Sequence, residues 1–183
     1  PHLYVYSIVC GGALTSVCRI VVPASTLEHW ETEITKWCPS FVVLKYYGSQ
    51  QERHEMTARI QRMRKRKFTA DSSDPRTYAL PNIVLTTYAT ITNDTDFSFW
   101  RSIPLSYLVC DEAHHIKSTT SKRYHHLSRL TAAHRLLLTG TPFQNNLSEL
   151  WAILRFIVPT VFANTPDELL TPMCVCGNIC ISN

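Results

Sequence analysis

Short apolar runs alternate with amphipathic runs along most of the chain. The apolar runs are continuous and rich in Val, Ile and Leu, which is typical of strands buried on both faces of a sheet. Because strand and helix candidates alternate, the pattern predicts an α/β fold, a mostly parallel sheet with helices on both faces. Such sheets bind ligands at the carboxyl ends of their strands. The predicted strands are residues 20–22, 41–44, 82–85, 107–110 and 135–138.

Two of the amphipathic runs begin with the pattern of a capping box. Ser25 stands three residues before Glu28, and Ser49 stands three residues before Glu52. This spacing lets the two side chains of each pair cap each other's backbone amide, so a helix start is predicted at each serine. In the first helix the apolar residues recur on one face: Leu27, Trp30, Ile34 and Trp37.

Composition narrows the function classes only a little. A chain of 183 residues with 45% hydrophobic residues can bury a core, which argues against disorder of the whole chain. The formal net charge of +4 permits a nucleic-acid partner without requiring one. No apolar stretch reaches the roughly 20 residues of a spanning helix, so no membrane partner is expected.

Two adjacent carboxylates follow the fourth apolar run. Asp111 and Glu112 come directly after residues 107–110, at the predicted carboxyl end of a strand. Burying the pair without partners is costly, so a cleft at the strand end suits it better than a core. In a cleft, such a pair can hold Mg²⁺ and orient an attacking water. Taken alone, the pair fits an exposed acidic turn better.

The residues around this pair resemble the Swi/Snf branch of helicase superfamily two. Residues 111–114, a DEAH box, resemble motif II of that family, and residues 138–142 resemble motif III, with its extension at residues 144–146. Residues 21–25 resemble motif Ia, and residues 85–88 resemble motif Ib. The order also matches, over about residues 20–165. Three further segments resemble the SMARCA-like, DEAD/H-box-containing subgroup of chromatin remodellers: residues 37–39, 46–50 and 156–159.

The resemblance implies a RecA-like lobe of the P-loop NTPase type, the first of two motor lobes, with ATP and Mg²⁺ as cofactors. It implies that Asp111 binds Mg²⁺ and that Glu112 activates the attacking water. His114 would bind the nucleotide and couple it to motif III. The residues of motif III that would sense the nucleotide and relay its state to the DNA cleft are Thr139, Gly140 and Thr141.

The resemblance also implies ATP-driven translocation on duplex DNA, used to remodel nucleosomes in the nucleus. Pro23, Ala24 and Ser25 open a helix, and Thr86 and Thr87 end a strand, so these residues are expected to contact DNA phosphates. Ser25 could instead serve only as a helix cap, and the two roles are compatible. The implied partners are duplex DNA, nucleosomes and the second motor lobe.

The chain departs from the family pattern before motif Ia. Family members carry Gly-x-Gly-Lys-Thr there, whereas this chain has Gly11-Gly12 and no Lys before Lys36. We interpret residues 1–19 as an aperiodic insertion or gene-model artefact, residues 20–165 as a partial motor lobe, and residues 166–183 as a disordered Cys-rich tail. Because the phosphate loop and a second lobe are absent from these residues, we expect an inactive fragment of a DNA-dependent ATPase.

Two other functions remain open at this point. The chain could be a non-catalytic module that binds DNA or a protein partner, and an ATPase assay with DNA separates this function from a motor. It could also belong to a strand-separating DNA helicase. The extension at residues 144–146 favours the translocating group, and a strand-displacement assay distinguishes the two.

Overall fold

A single parallel sheet organises the described part of the chain. The computed structural model describes residues 17–66, 81–103, 105–140 and 147–162. The strand order is β2-β3-β1-β4-β5 and all pairs are parallel, which confirms the predicted fold class. The strands are β1 (Val17–Val22), β2 (Val43–Tyr46), β3 (Ile83–Thr87), β4 (Leu105–Cys110) and β5 (Ala132–Leu137).

The central strand begins earlier than the sequence predicts. All residues of β1 are buried, and Cys18 and Arg19 pair with Ile83 and Val84 of β3. Residues 17–19 therefore belong to the sheet and not to an aperiodic segment. The charged side chain of Arg19 interrupts the apolar run, which is why the pattern predicted a start at residue 20. The remaining residues of that segment, 1–16, lie outside the described residues, as does the tail at 166–183.

Helices cover both faces of the sheet. On one face, Leu27, Trp30 and Ile34 of the first helix pack against Ile20 and Val22 of β1. Most of the other helices pack against the second face, where Trp100, Leu127 and Phe156 join one hydrophobic cluster, while the last helix, Pro159–Phe162, buries no residue. The helices are α1 (Leu27–Trp37), α2 (Gln50–Arg66), α3 (Tyr88–Ile91), α4 (Asp94–Arg101), α5 (Lys122–Ser128), α6 (Leu147–Ile157) and α7 (Pro159–Phe162).

One of the two predicted capping boxes forms. At the start of α2, the Ser49 amide donates to Glu52 Oε2 over 2.7 Å, and the Glu52 amide donates to Ser49 Oγ over 3.3 Å. The prediction for Ser25 was wrong, because Ser25 lies inside a 3₁₀ turn (Ala24–Thr26) and α1 begins only afterwards. The N-cap residue of α1 is Thr26, whose hydroxyl donates back to Pro23 O over 3.1 Å instead of accepting from the helix.

Among the described residues, no helix combines the length and the apolar character that crossing a membrane would need.

Candidate functional site

The two acidic residues lie at the carboxyl end of an interior strand. Asp111 follows β4 directly, and its amide donates to Val21 O of β1 over 2.9 Å. On the other side, the Leu138 amide at the end of β5 donates to Cys110 O over 2.9 Å. Asp111 is thus flanked by the ends of β1 and β5, the strands that lead into the predicted DNA-contacting and nucleotide-sensing segments.

Besides the bond from its amide, three further hydrogen bonds hold Asp111 at this edge. Trp30 Nε1 donates to Asp111 Oδ2 over 2.9 Å, and the Glu112 amide donates to Asp111 Oδ1 over 3.0 Å. The Tyr88 hydroxyl donates to the backbone oxygen of Asp111 over 2.6 Å. Trp30 and Tyr88 are both buried, whereas Asp111 is half-buried. The carboxylate is therefore held from the protein side and still reaches the open edge of the sheet.

Burial keeps Tyr88 a hydrogen-bond donor. Its side chain is buried, and this burial raises the pKa of its hydroxyl far above the usual range, with the neighbouring Cys110 and Asp111 adding to the effect. The hydroxyl thus stays protonated under any ordinary condition, and it donates to Asp111.

Glu112 adopts a backbone conformation that is uncommon for a side chain of its kind. Its φ of 55° places it in the left-handed region, where it precedes a 3₁₀ turn at Ala113–Ile116. Such a conformation costs about 1–3 kcal/mol and persists where the surroundings impose it, often at functional sites. Its Oε2 lies 3.3 Å from Nδ1 of His114, and both side chains are partly exposed. His114 therefore adjoins the carboxylate expected to orient water.

A row of rings connects this turn to Tyr88. The ring centroids of His114 and His115 lie 4.3 Å apart, and those of His115 and Tyr88 lie 4.6 Å apart. His115 Nδ1 also lies 3.0 Å from Nη1 of Arg123. Burial, followed by the neighbouring His114 and Arg123, lowers the pKa of His115. A neutral His115 can thus pack between Tyr88 and His114.

The end of β5 brings the predicted nucleotide-sensing residues beside this turn. The Ala113 amide donates to Leu138 O over 2.9 Å, which ties the turn after Asp111 to the residue before Thr139. Thr139 and Gly140 are exposed. A side chain at Gly140 would meet no atom of the described residues within 4 Å. Thr141 lies outside the described residues, as does the extension at residues 144–146.

The predicted DNA-contacting residues fall into two groups. Ala24 and Ser25 are exposed and Pro23 is half-buried, in a turn at the carboxyl end of β1. Thr86 and Thr87 are buried, and their hydroxyls have partners inside the protein. Thr86 Oγ1 donates to Tyr46 O over 2.9 Å, while Thr87 Oγ1 accepts from the Thr90 amide over 3.3 Å and caps α3.

The oxygen atoms at this edge fit a magnesium ion shared with a phosphate. A carboxylate offers about four acceptor positions, and each oxygen of Asp111 accepts one hydrogen bond in the contacts above, so acceptor capacity remains. Mg²⁺ keeps several waters and commonly takes only one or two carboxylates. No group of three or more potential metal ligands occurs among the described residues.

Sequence reasoning missed the two aromatic residues that hold Asp111. Trp30 was placed on the apolar face of a helix, and Tyr88 was quoted only as part of a motif. A signal existed, because a buried Trp or Tyr usually finds a partner for its polar atom. Both residues belong to segments that follow strand ends. The hydrogen-bond partner of each polar atom was therefore to be sought at the carboxyl edge of the sheet.

Comparison with known sequences places these residues in a family context. The sequence model of the SNF2-related domain matches residues 16–174. The chain is 42% identical over 151 residues to "SWI/SNF-related matrix-associated actin-dependent regulator of chromatin subfamily A containing DEAD/H box 1" of Mus musculus, and 43% identical over 151 residues to "ATP-dependent helicase fft2" of Schizosaccharomyces pombe. Each match covers 82% of this chain, but the chain spans only 13% and 11% of those proteins.

A solved structure shares the fold. The chain superimposes on the "Sulfolobus solfataricus SWI2/SNF2 ATPase core in complex with dsDNA" with a TM-score of 0.70 and 24% identity. The match covers 96% of this chain and 33% of that chain. This agrees with the RecA-like sheet described above.

Proposed function

Because the chain belongs to the SNF2-related domain family, we propose that it forms part of the first motor lobe of an ATP-dependent DNA translocase that remodels chromatin. The observation that carries this proposal is the placement of Asp111 and Glu112 at the carboxyl end of interior strand β4, between the ends of β1 and β5. This edge is where parallel α/β sheets bind their ligands.

The nucleotide side of the proposed site centres on the DEAH turn. Asp111 would hold Mg²⁺, Glu112 would orient the attacking water, and His114 would keep Glu112 in place. When bound, the ion neutralises charge on the phosphates. The residues that would sense the nucleotide at the end of β5 are Thr139, Gly140 and Thr141.

The DNA side of the proposed site centres on the exposed turn after β1. Ala24 and Ser25 present a hydroxyl and backbone groups that suit a phosphate, and Pro23 shapes the turn. Thr86 and Thr87 would support this surface from inside, because their hydroxyls already bond to the protein. By the same reasoning, we propose nucleosomes and a second motor lobe as partners and the nucleus as the location.

Duplex binding by the purified chain tests the DNA side. We expect a fluorescein-labelled duplex to bind with little sequence preference, and to bind more weakly as salt rises, because phosphate contacts release counterions. Ser25→Glu places a negative charge on the exposed turn and should weaken binding severalfold. Fluorescence anisotropy at several salt concentrations measures both effects.

Ser40→Glu is the matched control, since Ser40 is also exposed but stands just ahead of β2, at the opposite edge of the sheet. Its affinity for the duplex should stay close to that of the unchanged chain. Equal losses in the two variants would show that the turn is not the DNA contact, and no binding by the unchanged chain would refute the DNA side of the proposal.

A non-catalytic binding module is the second candidate function. The observation that favours it is the lack of any Lys before Lys36, where the family carries its phosphate-binding Lys. Duplex binding without ATP turnover would fit this candidate and an incomplete motor lobe equally, whereas turnover that Glu112→Gln abolishes would exclude this candidate.

A further inference from the structure

Two aromatic side chains hold Asp111 from opposite ends of the residue. Trp30 donates to its carboxylate, and Tyr88 donates to its backbone oxygen. A phenylalanine would supply much of the same apolar surface at either position. The N–H and O–H groups are therefore the features specific to these contacts, and both are directed at the residue expected to bind the metal.

Both aromatic residues belong to segments that start at the carboxyl edge of the sheet. Trp30 lies in α1, directly after the turn that exposes Ala24 and Ser25. The Thr26 amide and hydroxyl both bond to Pro23 O over 3.1 Å, so the turn and the helix start form one unit. Contacts therefore run without interruption from the exposed turn to the carboxylate.

We propose that Trp30 is a positioning residue that transmits DNA occupancy of the turn at residues 23–26 to the Asp111 carboxylate, while Tyr88 anchors the Asp111 backbone. The inference rests on the proposed function, which assigns DNA to the turn and Mg²⁺ to Asp111. Trp30 is fully buried, so a shift of the helix start carries the indole with it. Its hydrogen bond converts that shift into a change at the carboxylate, and such coupling acts in both directions.

Carbon-13 labelling of the aspartate carboxyls tests this coupling in the whole chain. The Asp111 resonance is identified by its loss in Asp111→Asn, and the duplex is titrated while anisotropy reports binding. We expect the duplex to shift the Asp111 resonance in the unchanged chain and this shift to be lost in Trp30→Phe. If Trp30 had only a structural role, a Trp30→Phe variant that folds and binds DNA would keep the DNA-induced shift of the Asp111 resonance.

Trp37→Phe is the matched control for Trp30→Phe. Trp37 ends the same helix, is 49% exposed, and donates its indole N–H to Glu33 Oε2 over 3.0 Å, not to Asp111. The DNA-induced shift at Asp111 should persist in this variant. An equal loss in both variants would overturn the specific role of Trp30.

The remaining outcomes separate the inference from the proposed function. If the duplex binds and the Asp111 resonance does not move, or moves equally in Trp30→Phe, the inference is refuted and the proposed function stands. If anisotropy shows no binding, the proposed function and the inference fall together. If Trp30→Phe does not fold, the indole N–H resonance of Trp30 in the unchanged chain serves as the readout in place of this variant. That resonance should move with the duplex and in Asp111→Asn, and a static resonance contradicts the inference.

Discussion

Arg19 is the residue least suited to its place in the sheet. It lies in the central strand at 1% exposure, and none of its guanidinium nitrogens has a hydrogen-bond partner among the described residues. Its guanidinium carbon lies 4.0 Å from the centroid of the Trp100 ring, and burial lowers its pKa to about 9. A cation–π contact contributes about 0.5–2 kcal/mol, which is less than an unpaired buried charge costs.

Replacing Arg19 by Leu should therefore stabilise the fold. We expect the free energy of unfolding to rise by about 1–4 kcal/mol in Arg19→Leu, as when buried charges are exchanged for apolar groups. Because the folded pKa lies below the unfolded one, the penalty is fully present below pH 9 and is relieved as the pH rises toward the unfolded value. Urea denaturation near neutral pH measures the gain.

Arg53→Leu is the contrasting variant. Arg53 is also buried, but its Nε donates to Asp96 Oδ2 over 2.9 Å. Removing one partner of a buried pair leaves an uncompensated charge, so this variant should lose about 3–5 kcal/mol. A loss in Arg19→Leu similar to that in Arg53→Leu would show that Arg19 is well accommodated.

At the scale of helices and strands, the sequence pattern predicted those features that depend on neighbouring residues alone. The interior strands β1, β3 and β4 were predictable because buried parallel strands are continuous apolar runs, and the less buried outer strands β2 and β5 still carry short apolar runs. The start of β1 could not be predicted in this way, because pairing with β3 and β4 brings the charged Arg19 into the sheet. The cap at Ser25 failed because Pro23 and Thr26 build a 3₁₀ turn first.

The same distinction holds for the candidate site. Asp111 and Glu112 could be placed at a strand end from adjacent residues alone. The aromatic partners of Asp111 could not be identified from adjacent residues, because the contact of Trp30 with Asp111 spans 81 positions in sequence. Such a contact depends on which helix covers which strand, and periodicity does not encode that arrangement.

The capping box of α2 gives a pH-dependent prediction. The backbone and side-chain hydrogen bonds of Ser49 lower the pKa of Glu52. A carboxyl group with a depressed folded pKa contributes stability above its unfolded pKa and loses it as the pH falls through the folded pKa. Glu52→Gln should therefore be less stable than the unchanged chain at neutral pH, and the difference should shrink in acid.

Thermal denaturation at a series of pH values measures this difference. Glu55→Gln is the control, because Glu55 lies one turn further along α2 and is exposed. A difference between the chain and Glu52→Gln that stays constant down to strong acid would contradict a charge-dependent cap.

At the scale of the whole molecule, the question is how much of a hydrolytic site these 183 residues contain. The described sheet presents Asp111 and Glu112 on its open edge, held by Trp30 and Tyr88. The sequence contains no Gly-x-Gly-Lys-Thr loop ahead of β1. The resemblance to the Swi/Snf branch implies that a second lobe supplies an arginine that stabilises charge on the transferring phosphoryl group.

We therefore predict that the purified chain shows no DNA-stimulated ATPase activity above background. Phosphoryl transfer depends almost entirely on positioning and on stabilisation of charge, and an arginine of this type contributes about 10³ to 10⁵ in rate in related triphosphatases. Without the Lys and the backbone amides of a phosphate-binding loop, the chain would bind little nucleotide. Asp111 would then have little bound Mg²⁺ to share with the phosphates. Phosphate release with saturating duplex measures activity, and Glu112→Gln serves as the control for contaminating ATPases. Turnover that Glu112→Gln abolishes would mean that the chain assembles a complete site from other residues.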